Sequence, residues 1–122
     1  MTASAISTWL EDYQRAWTSN EPDDIRALFT DDADYFTAPF RPAWHGQEEI
    51  VGGWLGRRDQ PGDWTFRYEI ILESPDLSLV RGWTTYRDPA RSYSNLWLLR
   101  MAEDGRCHQF TEWWMLEGDR GE

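Results

Sequence analysis

The sequence predicts a single α+β domain over residues 1–122, with three N-terminal helices packed on a strongly curved, mostly antiparallel sheet that forms a conical cavity. Three observations carry this expectation. Through the first half of the chain apolar residues recur at three- and four-residue spacing, the period of a helix with one buried face. From Asp63 onward the period becomes two, as in strands buried on one side. Nine tryptophans in 122 residues are more indole than a solid core of this size takes up. A buried indole needs a partner for its N–H, so tryptophan-rich walls suit clefts and interfaces.

The first helix is expected over Thr2–Ser19, where Ile6, Trp9, Leu10, Tyr13, Ala16 and Trp17 make one apolar stripe and Ser4 or Ser7 caps the start. Asn20–Asp23 breaks it. Pro22 suits the first turn of a short second helix that ends near Phe29, with Ile25, Leu28 and Phe29 inward. Thr30-Asp31-Asp32 reads as a turn, and Asp34–Ala38 as a short strand with Tyr35 and Thr37 on one face. Pro39–His45 reads as a loop, in which His45 beside Trp44 takes a surface role. The third helix runs from Gly46 to about Arg58, its acidic first turn favoured by the helix dipole. Its Gly52-Gly53 pair weakens it but allows close approach to a sheet. Four strands follow: Trp64–Glu73 with Trp64, Phe66, Tyr68 and Ile70 on one face, then Leu77–Arg87, Arg91–Arg100 and Cys107–Met115. Turns at Ser74-Pro75-Asp76, Asp88-Pro89-Ala90 and Glu103-Asp104-Gly105 join them, the Asp-Gly pair being a strong hairpin signal. The tail Glu117–Glu122 is polar and expected to fray.

Composition excludes several function classes. A net charge of −10 argues against nucleic acid and anionic membranes as partners, because both need a basic face. One cysteine, Cys107, leaves no internal disulfide and no thiolate cluster. No apolar run approaches about 18 residues and no leader is apparent, so a cytoplasmic protein is expected. Two histidines, His45 and His108, match no zinc spacing, and Asp31, Asp32 and Asp34 fit a solvated turn rather than a calcium loop. Val51-Gly52-Gly53-Trp54 lacks the lysine of a phosphate loop, and no Gly-x-Ser-x-Gly elbow occurs. Neither metal nor organic cofactor is expected.

The chemistry-bearing stretch is the last strand. Alternation places His108, Phe110, Glu112 and Trp114 on one face and Gln109, Thr111 and Trp113 on the other. A carboxylate among aromatics is the pattern of a pocket wall. Glu112 is either a functional carboxylate or one paired to Arg67, Arg81 or Arg100, since buried Glu is rare unless paired. His108 stands about 13–14 Å from it along the strand, too far for a direct hydrogen bond.

The order of elements and several local strings resemble the SnoaL-like polyketide cyclase and ketosteroid isomerase group of the nuclear-transport-factor-two-like superfamily. These strings are Tyr13-x-x-Ala16, Asp24-Ile25-x-Ala27-Leu28-Phe29-Thr30-Asp31-Asp32-Ala33, Pro39 to Gly46-x-Glu48-x-Ile50, and Asp104-Gly105-Arg106. The resemblance implies a cystatin-like α+β barrel and a homodimer that pairs through the outer face of the sheet, covering Leu96, Leu98 and Trp113. It also implies a hydrophobic pocket for an apolar carbonyl compound and cofactor-free cyclisation, isomerisation or dehydration.

Ketosteroid isomerases use two oxyanion donors and a first-strand base. Those positions fall on Tyr13, on Asn95 and on Thr37, the last of which is no base near neutral pH. SnoaL-like cyclases place their carboxylate on a late strand, which points to Glu112, with His108 on the same face. The expected catalytic set is therefore Glu112, Tyr13, Asn95 and His108. The expected walls are Trp17, Tyr35, Thr37, Trp54, Trp97, Phe110 and Trp114. The alternative is a non-catalytic ligand-binding or dimerisation module of the same fold.

Overall fold

The computed structural model describes residues 4–60, 62–87 and 91–117; the expected helix start at Thr2, the turn Asp88–Ala90 and the tail beyond 117 lie outside them. Helix α1 spans Ala5–Ser19. Ser4 is its cap, the Oγ accepting from the Ser7 N–H at 3.0 Å. Asn20 closes it in the left-handed region at φ 52°, a conformation asparagine tolerates. Ile6, Trp9, Leu10, Tyr13 and Ala16 are buried, as their spacing requires.

Helix α2 is only Pro22–Arg26, because Phe29 already belongs to a strand, β1, at Phe29–Phe36. The expected turn at Thr30–Asp32 is a correction: these residues are strand. They bulge away from the last strand, and Phe29 lies opposite Cys107 while Asp34 lies opposite Gln109. Five residues are thus spent against two, which leaves Asp31 and Asp32 exposed. Their polarity reports that bulge. A two-residue strand β2, Trp44–His45, stands where a loop was expected and pairs with Tyr35 and Asp34.

Helix α3 is Gly46–Gly56, two residues shorter than expected. Its glycine pair divides in function. A Cβ on Gly52 would meet open space, whereas one on Gly53 would overlap the Trp44 indole. The glycine therefore lets β2 press onto the helix.

Strands β3 (Trp64–Leu72), β4 (Ser78–Tyr86), β5 (Arg91–Met101) and β6 (Cys107–Leu116) complete one six-stranded sheet in the order β2-β1-β6-β5-β4-β3. Among the described residues only β1 and β6 pair in parallel. The sheet is open, with β2 and β3 as edges, so the expected barrel does not close. Period two holds through β4 and β5, where Ser78, Val80, Gly82 and Thr84, then Asn95, Trp97 and Leu99, are buried beneath the helices. Phe66 lies directly over Gly82, where a Cβ would overlap its ring, and stacks on Trp97 with centroids 5.0 Å apart.

The alternation fails at the start of β6. Met101 lies opposite Cys107 and Arg100 opposite Gln109, so His108 is the extra residue of a bulge. Cys107 therefore turns inward, fully buried, and burial pushes its thiol up to about 12. His108 is turned to solvent. Among the described residues no helix is long and apolar enough to cross a membrane.

Candidate functional site

A cavity of about 260 Å³ opens between α1, the end of α3 with the loop after it, and the inner face of the sheet. Its floor is built from three oxygens on three separate elements. Tyr35 of β1 donates its hydroxyl to Glu112 Oε2 of β6 at 3.0 Å. The Tyr13 hydroxyl of α1 lies 3.1 Å from that of Tyr35. Glu112 is thus two hydrogen bonds from Tyr13, well inside the roughly 10 Å that separates a base from an oxyanion donor around a small planar ligand.

The chain has a direction. An ionised carboxylate only accepts, and each phenol carries one proton. With Glu112 charged, Tyr35 gives its proton to Glu112 and Tyr13 gives its own to Tyr35. With Glu112 protonated the order can reverse, and the Tyr13 proton is released toward the cavity.

Burial is the main reason the Glu112 carboxyl is held above its ordinary range; Tyr35 and the nearby Arg57 charge pull the other way and do not cancel it. The Trp97 indole N–H, on the residue directly opposite in β5, lies close enough to favour the charged form but makes no hydrogen bond. Glu112 as a residue is half-buried, its carboxylate being the deep end. Tyr13 and Tyr35 are raised far above a normal phenol, first by burial and then by the Glu112 charge, so they act as neutral hydrogen-bond groups.

None of the three arginines suggested as partners reaches Glu112. Arg67 and Arg81 lie over Trp83 of β4, at 4.1 and 4.7 Å from its centroid, and Arg100 donates to the Asp76 carbonyl. Asn95 also lines the cavity. Thr84 of the neighbouring strand donates to Asn95 Oδ1 at 2.8 Å, which fixes the amide so that its NH₂ is left for a ligand.

Of the expected walls, Trp17, Tyr35, Thr37, Trp54 and Trp114 line the cavity, Trp114 at the rim and 55% exposed. Trp97 and Phe110 do not. They are buried one layer below, with ring centroids 4.7 and 5.7 Å from Tyr13, and so hold that phenol in place. His108 is outside the cavity, moved to the other side by the bulge.

The mouth was not foreseen. Asp59, in the loop after α3, accepts at Oδ2 from Trp17 Nε1 at 3.0 Å and from the Tyr86 hydroxyl at 3.1 Å. Asn20 ties the loop to α1 by donating to the Asp59 carbonyl, and itself accepts from Trp54 Nε1. Trp17 stacks flat on Trp64, centroids 3.7 Å apart and planes 12° from parallel. Arg57, Arg58 and Arg91 also line this end. Counting back by twos from Asn95 gives Tyr93 and Arg91, so period two contained half of this signal. The loop residues Arg57–Asp59 follow no period. Among the described residues no three His, Cys, Asp or Glu side chains come together as a metal site.

The sequence matches the SnoaL-like domain over residues 10–112. A comparison with curated proteins finds no match. Among solved structures, the chain is similar to a ketosteroid isomerase-like protein from Erwinia carotovora atroseptica, with 23% identity, a TM-score of 0.64, and 88% of this chain and 92% of that one covered. It is also similar to an NTF-2 like protein from Burkholderia xenovorans, with 16% identity, a TM-score of 0.70, and 90% and 82% covered. A computationally designed 17-OHP binder shares 13% identity at a TM-score of 0.71, with 93% and 95% covered. At these identities the likenesses show a common fold. With most of its length matched from α1 to Glu112, the chain belongs to the SnoaL-like domain family.

Proposed function

We propose that the domain is a cofactor-free acid/base enzyme that moves a proton next to a carbonyl group, as in isomerisation, cyclisation or dehydration. One observation carries this reading: a carboxylate at the floor of an aromatic cavity that has no cationic hydrogen-bond partner among the described residues and is held above its ordinary range by burial.

In the first step, ionised Glu112 takes a proton from the carbon beside the ligand carbonyl. The C–H electron pair becomes the enolate C=C bond, and the carbonyl pair moves to oxygen. The Asn95 amide donates to that oxygen. Once Glu112 holds the proton, the phenol chain can reverse, and Tyr13 becomes a second donor. The donor thus appears as the negative charge develops. Glu112 then returns the proton to carbon, at the same or a conjugated position. Trp17, Tyr35 and Trp54 supply flat walls for an apolar ligand.

The test is exchange of the α-protons of a panel of flat cyclic ketones in heavy water, followed by NMR. Wild-type chain should exchange at least one member, and Glu112→Gln should bind it equally well and not exchange it. The second reading, a binding module, is favoured by the commitment of the Tyr13 proton to Tyr35 while Glu112 is charged. Binding without exchange across the panel would select it.

The reading includes a homodimer and a cytoplasmic setting. The dimer is supported by the exposed Trp113, Met115 and Leu116 on β6, Trp113 being 45% exposed. Sedimentation at micromolar concentration should give twice 14.5 kDa. The setting is supported by a lone buried cysteine.

A further inference from the structure

All 12 Lys-or-Arg positions of this chain are arginine, against 22 acidic residues, yet three of the 12 line one cavity. Among the described residues Arg57, Arg58 and Arg91 form no ion pair, whereas Arg15, Arg26 and Arg106 each hold a carboxylate. Two of the three lie over aromatic rings. The Arg57 guanidinium lies 5.4 Å from the Trp44 centroid, and that of Arg91 lies 4.4 Å from the Tyr86 centroid and 5.8 Å from Tyr93. A guanidinium stacked by its face keeps its N–H edge free, and that edge matches a carboxylate with two parallel hydrogen bonds. The Arg91 Nε–H is buried with no acceptor among the described residues, a donor left unmade at the cavity wall.

The acidic groups of the cavity do not use these donors. Asp59 Oδ2 is taken by Trp17 and Tyr86, and Glu112 by Tyr35. With both carboxylates ionised, three positive charges stand against two negative, which leaves room for one further anion.

We infer that the mouth binds a carboxylate carried by the ligand, between Arg57 and Arg91, so that the compounds handled here are flat keto acids rather than neutral ketones. The acid group anchors at the mouth, the rings lie along Trp17 and Trp54, and the carbonyl end reaches Asn95 and Glu112. The binding part stands on the arginines alone; naming the ligand a keto acid rests on the proposed function.

The test measures binding of 2-naphthoate and its neutral isostere 2-naphthamide by calorimetry at pH 8. The acid should bind about tenfold more tightly than the amide, and the gap should narrow as salt is raised. Arg57→Gln with Arg91→Gln should bring the two within about twofold by weakening the acid far more than the amide, and the Lys pair should restore part of the gap. Circular dichroism and a cooperative thermal melt show that the variants are folded. Equal affinities in the wild-type chain, or a preference that survives the double variant, would overturn the inference. So would 2-naphthyl phosphate binding more tightly than the acid, which would make the site one for phosphate. Glu112→Gln should keep the acid preference, so failure of proton exchange and failure of anion binding are read separately.

Discussion

At the floor of the cavity one carboxylate, Glu112, is hydrogen-bonded to a neutral phenol and walled by aromatic rings; at the mouth another, Asp59, takes two neutral donors but shares its surroundings with three guanidiniums. Both groups are glutamate- or aspartate-like in isolation. What separates them is what stands around each. The floor shifts the carboxyl upward because water is excluded and, among the described residues, no cation is in hydrogen-bond contact. The mouth is open to solvent and built for charge. One small cavity therefore offers a base at one end and an anchor at the other, and the two ends can be perturbed separately.

The largest expected effect breaks the floor. Glu112→Gln keeps an acceptor for Tyr35 but loses the base, so α-proton exchange should fall by about 10²- to 10⁴-fold with ligand affinity unchanged. The same variant should also alter stability, with a sign that follows from the raised pKa. The folded state favours neutral Glu112, so the wild-type chain has that contribution in full below the unfolded value and loses it as pH rises through the folded value. Glutamine carries no such loss. Thermal melts should therefore show the Gln variant gaining on the wild type between pH 4 and pH 8.

Tyr35→Phe is the next step down. It removes the hydrogen bond that favours the charged carboxylate, so the acid limb of the exchange-rate profile should move to higher pH. The smallest effects test whether mouth and floor communicate. Arg57 lowers the Glu112 pKa and Asp59 raises it, both through space. Arg57→Gln should move the acid limb slightly up and Asp59→Asn slightly down. Shifts of the same sign, or none, would show the two ends to be insulated.

Much of the floor was legible in the sequence. Tyr13 lies on the helical stripe and Glu112 on the aromatic face that period two gives the last strand, whereas Asn95 comes only from the family resemblance; each lines the cavity. The role of Tyr35 as the bridge between Tyr13 and Glu112 was not legible, because alternation assigns a face and says nothing of which hydroxyls meet. His108 was misplaced for a specific reason: one extra residue in β6 reverses the faces before Gln109, and nothing in Cys107-His108 announces a bulge. The early onset of β1 was missed because Thr30-Asp31-Asp32 carries turn chemistry and is held in the sheet by pairing with β6, a long-range contact. The open sheet edge at β3 likewise depends on strand pairing that no local pattern encodes.

The stacked indoles of Trp17 and Trp64 carry one more consequence. Two near-parallel chromophores at 3.7 Å share their excited states, and the shared transition should appear as a split band in the near-ultraviolet circular dichroism. Trp17 is also a wall of the cavity, its N–H fixed by Asp59. A ligand that slides along it changes the coupling between the two rings. The protein thus contains its own optical gauge of occupancy, readable without a label and without turnover.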